Sequence, residues 1–108
     1  MYHYINTIKW RLIMLKIQQG WNEFTDLLLS AKDKDEFYLL LDLFLTDEEK
    51  SDLAARFLIV RELIKQEKTQ RVIASELHVS IAKITRGSNE LKRASRKLLM
   101  YLKSKLVR

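Results

Sequence analysis

The sequence contains no proline and only two glycines, so the two residues that most often interrupt a helix are almost missing. Proline removes a backbone donor, and glycine costs about 1 kcal/mol relative to alanine in a helix interior. Apolar residues instead recur at spacings of three and four, the period of an amphipathic helix. The sequence therefore predicts an all-α protein of six helices, and its 108 residues predict a single domain.

Two segments are more apolar than a small chain can bury alone. A first helix is predicted over about residues 8–31, where Gly20 weakens the helix without ending it. Its apolar stripe consists of Trp10, Ile13, Ile17, Trp21, Phe24 and Leu28. The run "FYLLLDLFL" at 37–45 is too apolar for a helix with an exposed face. A chain of this length buries only a modest core, so we expect that a second subunit covers this run.

The composition argues against an enzyme or a metal protein. There is no cysteine, which excludes disulfides, thiolate zinc sites and thiol nucleophiles. His3 and His78 have no ligand-like spacing, and no nucleophile–base pair or phosphate-binding loop stands out. No apolar run approaches the roughly 20 residues of a membrane span, and no cleavage site follows the N-terminal apolar patch. We expect a cytoplasmic protein without enzymatic activity, cofactor or membrane contact.

The charges are divided unequally between the two halves of the chain. Residues 1–55 hold 6 Lys/Arg against 10 Asp/Glu, a net charge of −4, whereas residues 56–108 hold 14 against 4, a net charge of +10. A strongly basic half predicts a surface for a polyanion, either nucleic acid or an anionic membrane. The alternative is that the surplus charge only keeps the domain soluble.

The segment "TQRVIASELHVSIAKITRGSNELK" has the pattern of two short crossed helices. Thr69 and Ser80 stand where each helix needs an N-cap, with "HVS" at 78–80 as the turn between them. His78 falls where this turn needs a left-handed backbone, and Ala74 is small where the helices meet. The apolar spacing predicts a small shared core of Ile73, Leu77, Val79 and Ile84. This pattern is typical of a DNA-binding helix-turn-helix, although two packed helices without a DNA role would look similar.

In a helix-turn-helix, the start of the second helix enters the major groove of DNA. The first helix contacts the DNA backbone or flanking bases. The residues expected to contact DNA are Gln70, Arg71, Ala74, Ser80, Ile81, Ala82, Lys83, Thr85 and Lys92.

"LFLTDEEKSDLAARFLIVRELI", "TQR" and "ITRGSN" followed by "LK" resemble the tryptophan repressor family of bacteria, from about Trp21 to the C-terminus. The resemblance implies a six-helix, intertwined homodimer that binds L-tryptophan as corepressor and then a palindromic DNA operator. It also implies one domain over residues 1–108, with an N-terminal arm or helix at 1–20 and the helix-turn-helix at 69–91.

The same resemblance implies a ligand pocket built by both subunits. Arg56 and Arg86 would sandwich the indole ring, which cation–π attraction favours, and Arg86 would pair with the ligand carboxylate. Leu43, Leu45 and Thr46 of the partner subunit would receive the amino end. Gly87 is expected to leave room for the flat ligand beside Arg86.

Helix geometry supports a ligand-facing flank independently of the resemblance. Four residues at spacings i, i+3, i+4 and i+7 share one flank of the predicted second helix: Lys83, Arg86, Gly87 and Glu90. Ala82, Thr85, Asn89 and Lys92 share the opposite flank. One helix can therefore present one flank to a ligand and the other to DNA.

Two residues on the ligand flank depart from the better-known members of the family. Lys83 stands where they have threonine, and Glu90 stands where they have serine. Glu90 could form an ion pair with Arg86, accept the ligand's ammonium, or neutralise Arg86 and weaken carboxylate binding. Two further functions stay open: a ligand-independent regulator of the same fold, and an interaction module for RNA or an acidic protein.

Overall fold

A computed structural model describes the backbone of residues 2–107 and the side chains of residues 6–107. Over this range the chain is all-α, as predicted, with six helices and no strand. The helices are α1 (Tyr2–Leu29), α2 (Lys34–Phe44), α3 (Asp47–Lys65), α4 (Gln70–Leu77), α5 (Ile81–Arg93) and α6 (Arg96–Leu106). Among the described residues they form two compact units, 2–45 and 46–107.

The first unit consists of two helices with little buried surface. α1 begins at Tyr2 rather than near residue 8, and it continues through Gly20, where a β-carbon would meet nothing within 4 Å. α2 begins after Asp33, whose carboxylate accepts a hydrogen bond from the Glu36 N–H at 2.8 Å. The rings of Phe24 and Phe44 meet edge to face with centroids 5.1 Å apart.

Most apolar side chains of this unit remain exposed in the single chain. α2 has no buried residue, and Leu43 is 75% exposed. In α1, Trp10 and Trp21 are 62% and 60% exposed. The expected burial of the run at 37–45 is therefore not achieved within this unit, and its cover by a second subunit stays a prediction.

The second unit is organised around α3. α3 begins with a capping box, in which Thr46 Oγ1 accepts from the Glu49 N–H and Glu49 Oε1 accepts from the Thr46 N–H. The hydrogen bond from the Thr46 backbone holds the pKa of the Glu49 carboxyl below its ordinary value. α3 ends at Gln66, which adopts the left-handed conformation with φ of 56°.

The core of this unit lies where α3, α4 and α5 meet. It contains Ile59, Ile73, Ala74 and Ile84, with Leu63, Leu77 and Val79 packed against it. Of the apolar α3 residues Leu53, Phe57, Val60 and Ile64, only Ile64 is buried in the single chain, and Leu53 and Phe57 are about half exposed. α3 is apolar on two faces, and the α4–α5 pair packs on the face that carries Ile59 and Leu63.

α6 packs on α3 through half-buried leucines. These are Leu99, Leu102 and Leu106, whereas Leu98 is 46% exposed. Among the helices described, none is long and apolar enough to cross a membrane.

Candidate functional site

α4 and α5 are held as a pair by the residues that the sequence singled out. Thr69 Oγ1 accepts from the Val72 N–H at 3.2 Å, and Ser80 Oγ accepts from the Lys83 N–H at 3.3 Å. His78 takes the expected left-handed conformation with φ of 55°. Ile73 and Ile84 are completely buried between the two helices. The pair is therefore closely packed where α4 meets the start of α5.

The face formed by the start of α5 and by α4 is exposed and polar. Thr85 Oγ1 donates to Gln70 Oε1 at 3.3 Å, which links the two helices across this face. All but one of the expected DNA contacts are exposed: Gln70, Arg71, Ser80, Ile81, Ala82, Lys83, Thr85 and Lys92.

Ala74 is the exception to this exposed set. It is only 6% exposed and belongs to the core cluster, so its side chain packs inside the unit and is not available to DNA. Its role as the small residue where the helices approach agrees with this position. We therefore leave Ala74 out of the proposed DNA surface.

A groove of about 520 Å³ lies between α3 and α5. It brings together five of the residues expected to bind the ligand: Arg56, Lys83, Arg86, Gly87 and Glu90. The four that come from α5 are the flank identified from helix geometry. Leu43, Leu45 and Thr46 were expected from the partner subunit, and their contribution stays a prediction.

Sequence reasoning missed four residues that line the groove from α3. They are Asp52, Ala55, Ile59 and Val60. Together with Arg56 they occupy one helix face, at spacings of three and four. That spacing was the available signal, because any residue one turn from Arg56 on the same face shares its surroundings.

The structure does not contain the ion pair between Glu90 and Arg86, which was one of the three interpretations of Glu90 from the sequence. Glu90 Oε1 accepts from Arg93 Nη2 at 2.9 Å, so the carboxylate pairs with Arg93 and not with Arg86. Within the described residues, neither Arg56 nor Arg86 has a carboxylate within 4.0 Å. Both guanidinium groups are thus available to an anionic or aromatic ligand.

Gly87 is in close contact with α3. A β-carbon at this position would lie 3.1 Å from Ile59 Cγ2 and 3.4 Å from Leu63 Cδ1. The missing side chain thus allows α5 to approach α3, in addition to lining the groove beside Arg86. This packing role was not anticipated from the sequence.

Comparison with known proteins identifies the family of the chain. The family model described as "Trp repressor protein" matches residues 19–106. A Trp operon repressor homolog of Chlamydia caviae is 44% identical over 87 residues, which cover 81% of this chain and 86% of that protein. A Trp operon repressor homolog of Vibrio atlanticus is 44% identical over 77 residues, 71% of this chain and 79% of that protein.

A Trp operon repressor homolog of Chlamydia trachomatis serovar D is 48% identical over 77 residues, 69% of this chain and 80% of that protein. The matched region contains α2 to α6 complete, and so it includes the α4–α5 pair and the groove. The chain therefore belongs to the Trp repressor protein family, a family of DNA-binding transcriptional regulators and not of enzymes.

Proposed function

We propose that this protein is a homodimeric repressor that binds L-tryptophan in the groove and then a palindromic operator through the α4–α5 pair, used as a helix-turn-helix. The observation that carries the proposal is the position of α5. One flank of α5 lines the groove, and its first turn is exposed beside α4. A ligand in the groove would therefore act on the helix that reads DNA.

The groove has the chemistry for an aromatic amino acid. Within the described part of the chain, Arg56 and Arg86 have no carboxylate partner. Their guanidinium groups can stack on an indole ring, and Arg86 can also pair with a carboxylate. Ile59 and Val60 supply apolar surface. The amino end would be received by the partner subunit's Leu43, the partner subunit's Leu45 and the partner subunit's Thr46.

The exposed apolar surface of α1 and α2 supports a homodimer, since a second copy would cover it. In a dimer, the α4–α5 pairs of the two subunits would lie at a spacing near one DNA turn, about 34 Å. Tryptophan would favour operator binding by holding α5 in the arrangement that fits both half-sites. Tryptophan can have this effect only if it binds that arrangement of α5 more tightly than the arrangement that does not fit the operator.

Titration calorimetry with L-tryptophan tests the ligand directly. We expect Arg86→Ala to lower the affinity by roughly 10- to 100-fold, because a hydrogen bond to a charged group is worth about 1.5–3 kcal/mol. Arg71→Ala is the control: Arg71 is exposed on α4 outside the groove, so this variant should bind tryptophan like the wild type. Absence of binding by the wild type at millimolar tryptophan would exclude the corepressor model.

The operator can be found by enrichment from a library of random duplexes, with and without tryptophan. We expect a palindromic sequence to be enriched when tryptophan is present. Equal enrichment without it would instead indicate a ligand-independent regulator. If no duplex sequence is preferred, the protein is an interaction module for another partner.

A further inference from the structure

Beyond the α4–α5 pair, the end of the chain carries a second concentration of positive charge. From Ala94 to Val107 there are four Lys/Arg residues and no Asp or Glu. All four are exposed and have no salt bridge within the described part of the chain: Arg96, Lys97, Lys103 and Lys105. We call these four residues the C-terminal basic surface.

The packing of α6 turns these charges toward solvent. Leu99, Leu102 and Leu106 are half-buried and lie within about 60° of one another at 100° per residue. Lys97 lies roughly opposite this apolar line, together with the exposed Met100 and Tyr101. Lys105 Nζ stands over the Tyr101 ring, 5.7 Å from its centroid. Arg96, Lys103 and Lys105 lie at the flanks of the helix, about 70–90° from the apolar line, so the basic groups surround the solvent-exposed part of α6.

Local structure does not explain the charges at the start of α6. Arg96 and Lys97 stand in the first turn, where the helix dipole is positive and acidic residues are favourable. In α3 that position is occupied by three acidic residues, Asp47, Glu48 and Glu49. Two cations in the first turn of α6 therefore work against the stability of that helix. An external anion is the group that would compensate for this.

We propose that the C-terminal basic surface is a second, sequence-independent DNA contact that binds duplex phosphates outside the half-site read by α5. Two residues, Ala94 and Ser95, join α5 to α6 in the same compact unit. α5 has 13 residues, so the exposed face at its start and the surface beyond its end are about 20 Å apart. The phosphates belong either to the flanking part of the same duplex or to a second duplex.

We favour a duplex over other polyanions because α6 follows directly after α5, the helix that is proposed to contact the operator. The test needs neither the operator nor tryptophan, so its failure would leave the proposed function untouched. A fluorescent 40-base-pair duplex of arbitrary sequence is titrated with the full chain between about 50 and 200 mM salt, without ligand. For the wild type we expect the logarithm of the affinity to fall linearly with the logarithm of salt concentration, by about 0.9 for each phosphate contact.

The double variant Arg96→Gln/Lys97→Gln should bind this duplex about tenfold more weakly at low salt, with a slope reduced by up to about 1.8. Lys103→Gln/Lys105→Gln should act in the same direction. Neither change should unfold the protein, since the first pair removes unfavourable charges from the helix start; circular dichroism checks this. The matched control is Lys32→Gln/Lys34→Gln, which removes two exposed charges from the other unit.

Unchanged affinity and slope in both α6 variants would overturn the proposal. An equal loss in the control would also overturn it, because the effect would then reflect net charge alone. Binding of a 40-nucleotide RNA or of phosphatidylglycerol vesicles in preference to the duplex, lost in the α6 variants, would assign the surface to that partner instead. A co-precipitation with two differently labelled duplexes distinguishes the two sources of phosphate. Recovery of both labels on one protein dimer indicates a second duplex, and recovery of a single label indicates the flanking part of the same duplex.

Discussion

Gly87 and Ile59 are so close that a β-carbon on the glycine would lie 3.1 Å from the isoleucine Cγ2 atom. Ile59 is 4% exposed, and its branched side chain cannot easily move aside. This contact sets how closely α5 approaches α3, and the groove lies between the same two helices. The glycine that weakens α5 locally thus improves its packing on α3.

We expect Gly87→Ala to destabilise the protein by about 1 kcal/mol. Alanine would gain about 1 kcal/mol of helix propensity, but overpacking against a fixed neighbour costs typically 1–3 kcal/mol. Gly20→Ala is the matched control, since nothing lies within 4 Å of its β-carbon position. It should stabilise the protein by about 0.5–1 kcal/mol. Chemical denaturation at fixed protein concentration measures both; a stabilising Gly87→Ala would show that the contact relaxes freely.

A buried carboxylate ties α3 to the loop before α4. Glu62 is 8% exposed, and its two oxygens lie 3.3 Å from Arg61 Nη2 and 3.6 Å from Lys68 Nζ. Lys68 Nζ also lies 2.6 Å from Glu76 Oε2 on α4. This hydrogen bond to Glu76 holds the pKa of Lys68 above its ordinary value. Lys68 therefore connects the two helices through two carboxylates.

The connection predicts a specific pH dependence. Burial raises the pKa of Glu62, but Lys68, Arg61 and Lys65 together lower it by more, so the net pKa lies below its ordinary 4.5. Because the pKa of Glu62 is lower in the folded state than in the unfolded state, the ionised carboxylate stabilises the fold. This contribution is complete above pH 4.5 and decreases as the pH falls below that value. The advantage of the wild type over Glu62→Gln in unfolding free energy should shrink as the pH falls from about 7 to about 3.

Glu67→Gln provides the control for this pH series. Glu67 is an exposed carboxylate in the loop between α3 and α4, and no salt bridge is described for it. Its variant should follow the wild type at every pH. A difference between wild type and Glu62→Gln that stays constant with pH would contradict a charged role for Glu62.

Glu90 should favour ligands that carry an ammonium group. Its pairing with Arg93 leaves Arg86 free for the ligand carboxylate, while Glu90 itself still lines the groove. We expect Glu90→Ser to weaken L-tryptophan binding about tenfold, the value of one charge-assisted hydrogen bond. Indole-3-propionate, which lacks the amino group, should bind the variant at least as well as the wild type. Equal losses for both ligands in calorimetry would argue against this role.

Gln66 ends α3 in a conformation that glycine adopts more readily. Its φ of 56° is left-handed, which costs a non-glycine residue about 1–2 kcal/mol. Glycine loses about 0.5–1 kcal/mol of chain entropy on folding, so Gln66→Gly should stabilise the protein by roughly 0.5–1 kcal/mol. Gln19→Gly, in the exposed interior of α1, should destabilise it by a similar amount. The thermal unfolding temperature should therefore rise for Gln66→Gly and fall for Gln19→Gly.

Several helix ends were predictable from the sequence because they depend on nearby residues. Thr69 and Ser80 cap the helices that their positions indicated. His78 has the left-handed conformation expected of the turn. The four groove residues of α5 share one flank for the same reason, since spacing along one helix decides which side chains lie together.

What the sequence determined by itself was therefore local: helix content, caps, the turn before α5 and the flank of α5 that lines the groove. The tertiary structure decided which of the two apolar faces of α3 is buried, and so placed Ile59 in the core and left Leu53 and Phe57 exposed. It also buried Ala74, placed Gly87 against Ile59 and paired Glu90 with Arg93. Those outcomes depend on contacts between distant segments and on which of several possible partners a side chain meets. The spacing of residues within one helix carries no information about either.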